Sequence, residues 1–420
     1  MRCLKMLKHK LIVNRRLSNG DSVKVGELAE NKSGIYFQYN ERYLASFSNI
    51  SPFALEESAE LQLGPQSPHK KLHGVFADSL PDGWGLYLMD RIFRKQGYDP
   101  RTISPLERLA FIGDNCFGSL YYEPATTHKD HNTQHDISIQ ELGKQAVEEF
   151  EGTQSDLIEH LMNAAGSGGA RPKINATLLP DGSYSTDPNT IGTQCLIKLT
   201  SDNFYLKQEE SLVEFCCMSL ANQCGIETAE FELLKGNNNR FWLRQNRFDC
   251  VGDNGRLHMI SASGLLDASF REPALDYIDL IKATRIMCGA GDAKKLIQRS
   301  LFNYLICNQD DHAKNFSFLC DENSNWRISP FYDVLYSPSS FGEHMTSFNG
   351  DGVAPNKASM ELMARHASIH PKEIIIMLEQ IMDQLTNSKA LFQRVGVSKA
   401  TTRIITNTIN KKWSLLKQRM

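Results

Sequence analysis

Between Leu301 and Phe316 the chain reads LFNYLICNQDDHAKNF, an apolar stretch that ends in a dense cluster of polar and charged groups. The apolar part has the spacing of a buried helix, and the cluster then falls on a loop where carboxylates, amides and cations crowd together. Asp310 precedes Asn315 by five positions. A third oxygen-bearing group, Asp333 in Pro330-Phe331-Tyr332-Asp333-Val334, follows 18 residues later, beyond the strand-like Trp326-Arg327-Ile328. Hard oxygens hold magnesium, and a carboxylate beside an acceptor hydroxyl can orient it. Singly, Asp310 or Asp311 reads as a turn cap and Asp333 as a helix cap. The ordered set reads as a metal and nucleotide site.

That order matches the phosphoryl-transfer loop of protein kinases, with Asp310 orienting the nucleophile, Asn315 on magnesium and Asp333 as the second metal ligand. Tyr-Asp-Val stands where kinases carry Asp-Phe-Gly. His312 and Lys314 add positive charge to the same loop. Lys198 lies inside the apolar strand Gln194–Leu199, an expensive place for an ammonium without an anionic partner. ATP phosphates and Glu214, on a helix predicted over 209–224, supply that partner. Glu209 and Glu210 compete for the role, and a snorkelling strand-end lysine is the plainer alternative.

The stretch Gly166-Ser167-Gly168-Gly169-Ala170-Arg171-Pro172-Lys173 leads into a strand and is not a Walker A motif. In one reading the backbone of Gly168 and Gly169, with Lys173 or Arg171, faces phosphates; in the other it is a flexible hairpin. Arg247-Phe248-Asp249 ends a strand where a hinge between lobes should fall. There the backbone of Asn246 and Phe248 either meets adenine or simply closes the strand.

With 420 residues, 41% hydrophobic, and 28 glycines, the chain has ordinary globular composition and room for two or three units with their own cores. Residues 11–50 alternate like a small antiparallel sheet. A helix over 86–96 is entered through Pro81-Asp82-Gly83 as a capped turn, another starts near Ser104, and a long amphipathic helix is predicted over 138–164. Strands follow over 229–234 and 241–248, and from Tyr277 the pattern is mostly helical. Residues 125–136 read as a linker whose His128, His131 and His135 are too irregularly spaced for a metal site. The expected fold is α+β and protein-kinase-like, with two lobes. It comprises a β-rich N-terminal subdomain over 1–125, a small lobe with the Gly-rich loop and the ATP-binding lysine over 137–250, and a helical large lobe over 251–420.

Ten cysteines without a Cys-x-x-Cys pair read as reduced thiols. No 18 apolar residues run together, and lysines interrupt the basic start, so neither a membrane span nor a leader is expected and the location predicted is cytoplasmic. A net charge of −3 gives no global attraction for nucleic acid. Residues 384–420 nevertheless carry eight Lys or Arg and no Asp or Glu. They form either a surface for phosphates or an acidic partner, or a solvated helix face docked by Leu391, Phe392, Val395, Ile404, Ile405, Trp413 and Leu416.

Together, Asn308-x-Asp310-Asp311-His312-x-Lys314-Asn315, Pro330-x-Tyr332-Asp333, Arg247-Phe248-Asp249, Leu80-Pro81-Asp82-Gly83 and Gly169-Ala170-Arg171-Pro172-Lys173 resemble the HipA family of bacterial toxin kinases, over about residues 10 to 370. The resemblance implies an ATP- and Mg²⁺-dependent serine/threonine kinase of a type II toxin–antitoxin module. It implies a small helix-turn-helix antitoxin as partner, DNA reached only through that complex, and a host protein substrate, an aminoacyl-tRNA synthetase being a known class of target. By position it implies Asp310 as catalytic base, Asn315 and Asp333 as magnesium ligands, Lys198 as the ATP lysine, and 246–248 as the adenine hinge. The family's best-known member autophosphorylates a serine of its Gly-rich loop; the nearest hydroxyl here is Ser167, one position away, which makes it the expected phosphosite. A small-molecule kinase of the aminoglycoside or choline type shares the Asp, Asn, Asp order but not the N-terminal hundred residues with Leu-Pro-Asp-Gly-Trp-Gly. A non-catalytic partner that only sequesters antitoxin would be free to lose Lys198, Asp310, Asn315 or Asp333, and all are present.

Overall fold

Alternating burial along Lys10–Arg16, Ser22–Glu30 and Ile35–Tyr39 turns Leu11, Val13, Val25, Leu28, Ile35 and Phe37 to one face, which is how a half-buried strand reads. In the computed structural model, which describes residues 10–125, 137–164, 168–187 and 190–420, these strands form an antiparallel sheet. Its order is Gln62–Leu63, Ile35–Tyr39, Ser22–Glu30, Lys10–Arg16, Leu120–Glu123. The last strand returns to pair with the first, Val13 opposite Tyr122, a long-range closure that local alternation did not announce. Helix Pro105–Ile112 packs on this sheet and starts as expected, with a reciprocal cap between Ser104 and Glu107. Helix Gly83–Lys95 differs: Asp82 occupies its cap position but makes no capping hydrogen bond.

A second antiparallel sheet has the order Tyr184–Ser185, Lys173–Leu178, Thr193–Lys198, Phe241–Asn246, Phe231–Lys235. Helix Glu210–Gln223 packs against it. The single helix predicted over 138–164 is two, Ile139–Phe150 and Ile158–Ala164. The break has a local cause: Gly152 takes φ 102, and the Glu149 carboxylate turns back to accept from the Ser155 N–H at 2.8 Å.

The remainder is helical, with Tyr277–Cys288, Ala290–Ile306, Lys357–Ala367, Pro371–Thr386, Ser388–Val395 and Lys399–Arg419 around a small sheet of His258–Ser261, Ser317–Cys320 and Trp326–Ile328. Leu391, Phe392, Ile405 and Leu416 dock the basic tail as expected. Ile404 does not: it is exposed, and Ile409, on the same helical face as Ile405, takes its place. The tail cations Lys389, Arg394, Lys399, Arg403, Lys411 and Lys417 face solvent.

The N-terminal sheet unit touches both others. Arg15 donates to the carbonyls of Cys320 and Asp321, and Asp78 accepts from the Ser261 N–H and hydroxyl at 2.6 and 2.7 Å. Asp249 accepts from the Gly118 N–H at 2.7 Å. Gly74 approaches the Gly264 carbonyl so closely that a Cβ would lie 2.3 Å from its oxygen. Among the described residues the nine cysteines form no disulfide, and no helix is long and apolar enough to cross a membrane. His128, His131, His135 and Ser167 lie outside the described residues.

Candidate active site

Strands Lys173–Leu178 and Thr193–Lys198 pair so that Lys173 stands opposite Lys198, both buried. Two facing ammonium groups repel across a ladder unless an anion sits with them. Lys198 Nζ meets Glu214 Oε1 at 2.5 Å on one side and the Asp333 carboxylate on the other. Burial by itself lowers a lysine pKa; at Lys198 the two carboxylates more than reverse this and raise it. Lys173, whose Nζ donates to the Gly168 carbonyl oxygen at 2.5 Å, is pushed down by burial to about 8. Asp333 is held well below the usual carboxylate range, because Lys198, Lys173 and Arg171 outweigh its desolvation. It sits at φ 52, a left-handed conformation uncommon for a residue with a side chain, and its carbonyl accepts from Asn308 Nδ2 at 3.1 Å.

The 308–315 loop follows helix Ala290–Ile306, which ends in a left-handed turn at Cys307 with φ 59. Asp311 anchors the loop and has no access to solvent. It accepts from Tyr277 Oη at 2.6 Å, from His344 Nδ1 at 2.8 Å, and from the Met345 N–H at 2.9 Å. Asp310, next to it, points the other way and is exposed. The surrounding protein desolvates its carboxyl, and the negative Asp333 and Asp311 oppose its ionisation, so its pKa is raised. Asn315 Nδ2 donates to the Asp310 carbonyl at 2.7 Å, which leaves Oδ1 as the end of the amide able to ligate a cation.

Other expected residues lie where the sequence did not foresee. Lys314 Nζ pairs with Asp82 Oδ2 at 2.7 Å. Asp82 Oδ1 also accepts the Gly169 N–H, so that amide is not free for a phosphate. His312 packs its ring against Phe270 at 6.1 Å. Asn246 turns its side chain to Glu230 Oε2 at 2.7 Å, and Phe248 stacks at a tilt on Tyr332, 5.5 Å between centroids. Arg247 and Asp249 pair with each other at 2.6 Å and bond the Cys116 and Gly118 backbone of the N-terminal unit.

The structure thus gathers Lys173, Lys198, Glu214, Asn308 and Asp333 in one contact network, with Asp310, Asn315 and Lys314 on the adjoining loop. Two further pairs escaped the sequence reading. Arg171 Nε meets Glu210 Oε1 at 2.5 Å, and burial pushes Glu210 up to about 7. Asp82 was read as a turn residue inside one of the motifs that carry the resemblance and was given no role in the site, although Leu-Pro-Asp-Gly-Trp, an acid between a rigid and a flexible residue, was the available signal. Among the described residues no three His, Cys, Asp or Glu side chains cluster as a metal centre. The donors on hand are the Asp333 carboxylate and the Asn315 carboxamide. Two such oxygens fit a magnesium ion that completes its shell with phosphate and water.

Two family models match: the HipA N-terminal domain at residues 20–123 and the HipA-like C-terminal domain at residues 165–389. Toxin YjjJ of Escherichia coli (strain K12) is 25% identical over 213 residues, covering 47% of this chain and 44% of that one. Protein Y4mE of Sinorhizobium fredii (strain NBRC 101917 / NGR234) is 28% identical over 178 residues, covering 40% and 41%. The matches span under half the length of either curated relative. The Shewanella oneidensis MR-1 HipA structure, solved with HipB and operator DNA, superposes with a TM-score of 0.69 at 15% identity, covering 97% of each chain. That likeness establishes a shared fold, the kinase-like two-lobed one, over the part of the chain it covers.

Proposed function

The chain belongs to the HipA family, and from that premise we propose that it is an ATP- and Mg²⁺-dependent serine/threonine protein kinase acting as the toxin of a toxin–antitoxin module. The observation that carries the reading is the buried Lys198 between Glu214 and Asp333, the lysine, helix acid and metal acid that phosphoryl transfer requires together. Magnesium, held by Asn315 Oδ1 and the Asp333 carboxylate, would neutralise phosphate charge. Lys198 and Lys173 hold the phosphates from the sheet side, and Glu214 keeps Lys198 extended toward them. Asp310, exposed and raised in pKa, accepts the hydrogen bond of a serine or threonine hydroxyl and orients its oxygen for attack. The backbone at 246–248 meets adenine, and Ser167 is the phosphosite of the Gly-rich loop.

In this scheme residues 1–125 form the N-terminal subdomain, 137–250 the small lobe and 251–420 the large lobe. The substrate is a host protein, an aminoacyl-tRNA synthetase being the class the family suggests. The partner is a small helix-turn-helix antitoxin through which DNA is reached, in line with the Shewanella complex of HipA, HipB and operator DNA. The chain works in the cytoplasm.

The test is transfer of label from γ-labelled ATP into proteins of a host lysate, with wild type and Asp310→Asn side by side. A discrete protein labelled by wild type, and at least about 100-fold less by the variant, is expected. Equal labelling by both would remove Asp310 from the mechanism.

A further inference from the structure

The residue at a helix N-cap ordinarily spends its side chain on the first free N–H groups of its own helix. Asp82 holds that position ahead of Gly83–Lys95, with an extended φ of −119, and makes no such bond. Its carboxylate is buried and reaches two segments far away in the chain: Oδ1 takes the Gly169 N–H and Oδ2 takes Lys314 Nζ at 2.7 Å. The next residues complete the grip. Trp84 donates its N–H to the Gly169 carbonyl at 3.0 Å, so both backbone polar groups of Gly169 are bonded to the 82–84 turn. Gly83 sits at φ 43, and a Cβ there would fall 2.4 Å from the Gly169 oxygen, which only glycine permits. Lys314 is fixed from its other side by the Phe270 ring, 4.5 Å from Nζ.

We infer that Asp82 is a positioning residue, a clasp from the N-terminal unit that fastens the Gly168–Lys173 segment to Lys314 and so sets the phosphate-facing side of the site against the acceptor-facing loop. The inference rests on the kinase reading given above. A role confined to holding the N-terminal unit in place is served by other contacts: Arg15 on Cys320 and Asp321, Asp78 on Ser261, and Gly118 on Asp249. Removing the Asp82 carboxylate leaves all of these intact, so its effect should stay local to the loop.

The experiment compares wild type with Asp82→Ala, Asp82→Asn and Lys314→Met in the full chain. It measures amide hydrogen exchange, thermal midpoint and the ATP dependence of phosphoryl transfer. In Asp82→Ala, exchange in peptides covering Gly168–Lys173 should rise about tenfold or more while the Lys10–Arg16 and Ser22–Glu30 strands keep their rates. The KM for ATP should rise roughly tenfold with kcat falling less than about threefold, the signature of misplaced ground-state contacts. Asp82→Asn should fall between, since its amide oxygen still accepts from Gly169 but cannot pair with Lys314. Adding Lys314→Met to Asp82→Ala should change little further, because the pair acts as a unit. Wild-type exchange at Gly168–Lys173 in Asp82→Ala would overturn the clasp, as would loosening spread over the N-terminal sheet with a lowered midpoint. If wild type transfers no phosphate while the loop still loosens in Asp82→Ala, the clasp stands and the proposed activity fails.

Discussion

On the proposed reading, Lys173 is the most pH-sensitive of the phosphate contacts, because its burial is not offset as that of Lys198 is. Burial pushes its pKa down to about 8, whereas Lys198 is protected by two carboxylates. Phosphate favours the ammonium form, so above about pH 8 binding must be accompanied by proton uptake. ATP affinity should therefore fall as pH rises through that value, by at most about tenfold per unit. Glu210, at about 7, is already mostly ionised there and does not mask the effect. Lys173→Met should bind more weakly at pH 7 and show a flat profile above pH 8; a wild-type profile equally flat would count against Lys173 as a phosphate contact. The spacing of Asp310, Asn315 and Asp333 and the apolar setting of Lys198 were legible in the sequence because each signal is local. Asp82 was not, because its partners lie 87 and 232 positions away and its neighbours spell a helix cap.

Secondary elements were readable wherever one face decides, and misread where a local turn interrupts a periodicity that continues across it. The Ser104 cap and the strand around Lys198 came through. The break between Ile139–Phe150 and Ile158–Ala164 did not, since periodicity continues across it and Gly152 alone marks the turn. The first of these helices also carries Gly143 against the Trp242 ring, where a Cβ would lie 2.4 Å from its nearest atom. Alanine is the better helix former by about 1 kcal/mol, but overpacking a closed contact costs about 1–3 kcal/mol. The collision with a buried indole should win. Gly143→Ala is expected to lower the thermal midpoint by about 1–2 °C, and a midpoint raised by the substitution would mean that the helix slides freely on the sheet.

At the scale of the whole molecule, two lobes and an N-terminal unit were expected from the sequence, but not that this unit would grip both lobes at once. Arg15, Asp78 and Gly74 hold it to the large lobe, while Gly118 and the 82–84 turn hold it to the strand ends and Gly-rich segment of the small lobe. Such contacts join residues hundreds of positions apart and leave no periodicity to read. On the proposed reading, they let a third body, and not a hinge alone, set the two sides of the phosphate site.

The central claim is that Lys198, Glu214 and Asp333 form a metal-dependent nucleotide phosphate site, with Asp310 beside it serving chemistry and not binding. Calorimetric titration of the full chain with ATP, with Mg²⁺ and then with chelator, tests it most directly. Wild type should bind saturably with Mg²⁺ and about tenfold or more weakly without it, as phosphate charge left unneutralised requires. Lys198→Met should lose about tenfold or more in affinity, and Asp310→Asn should stay within about threefold of wild type. Binding that ignores both the metal and Lys198 would contradict the account.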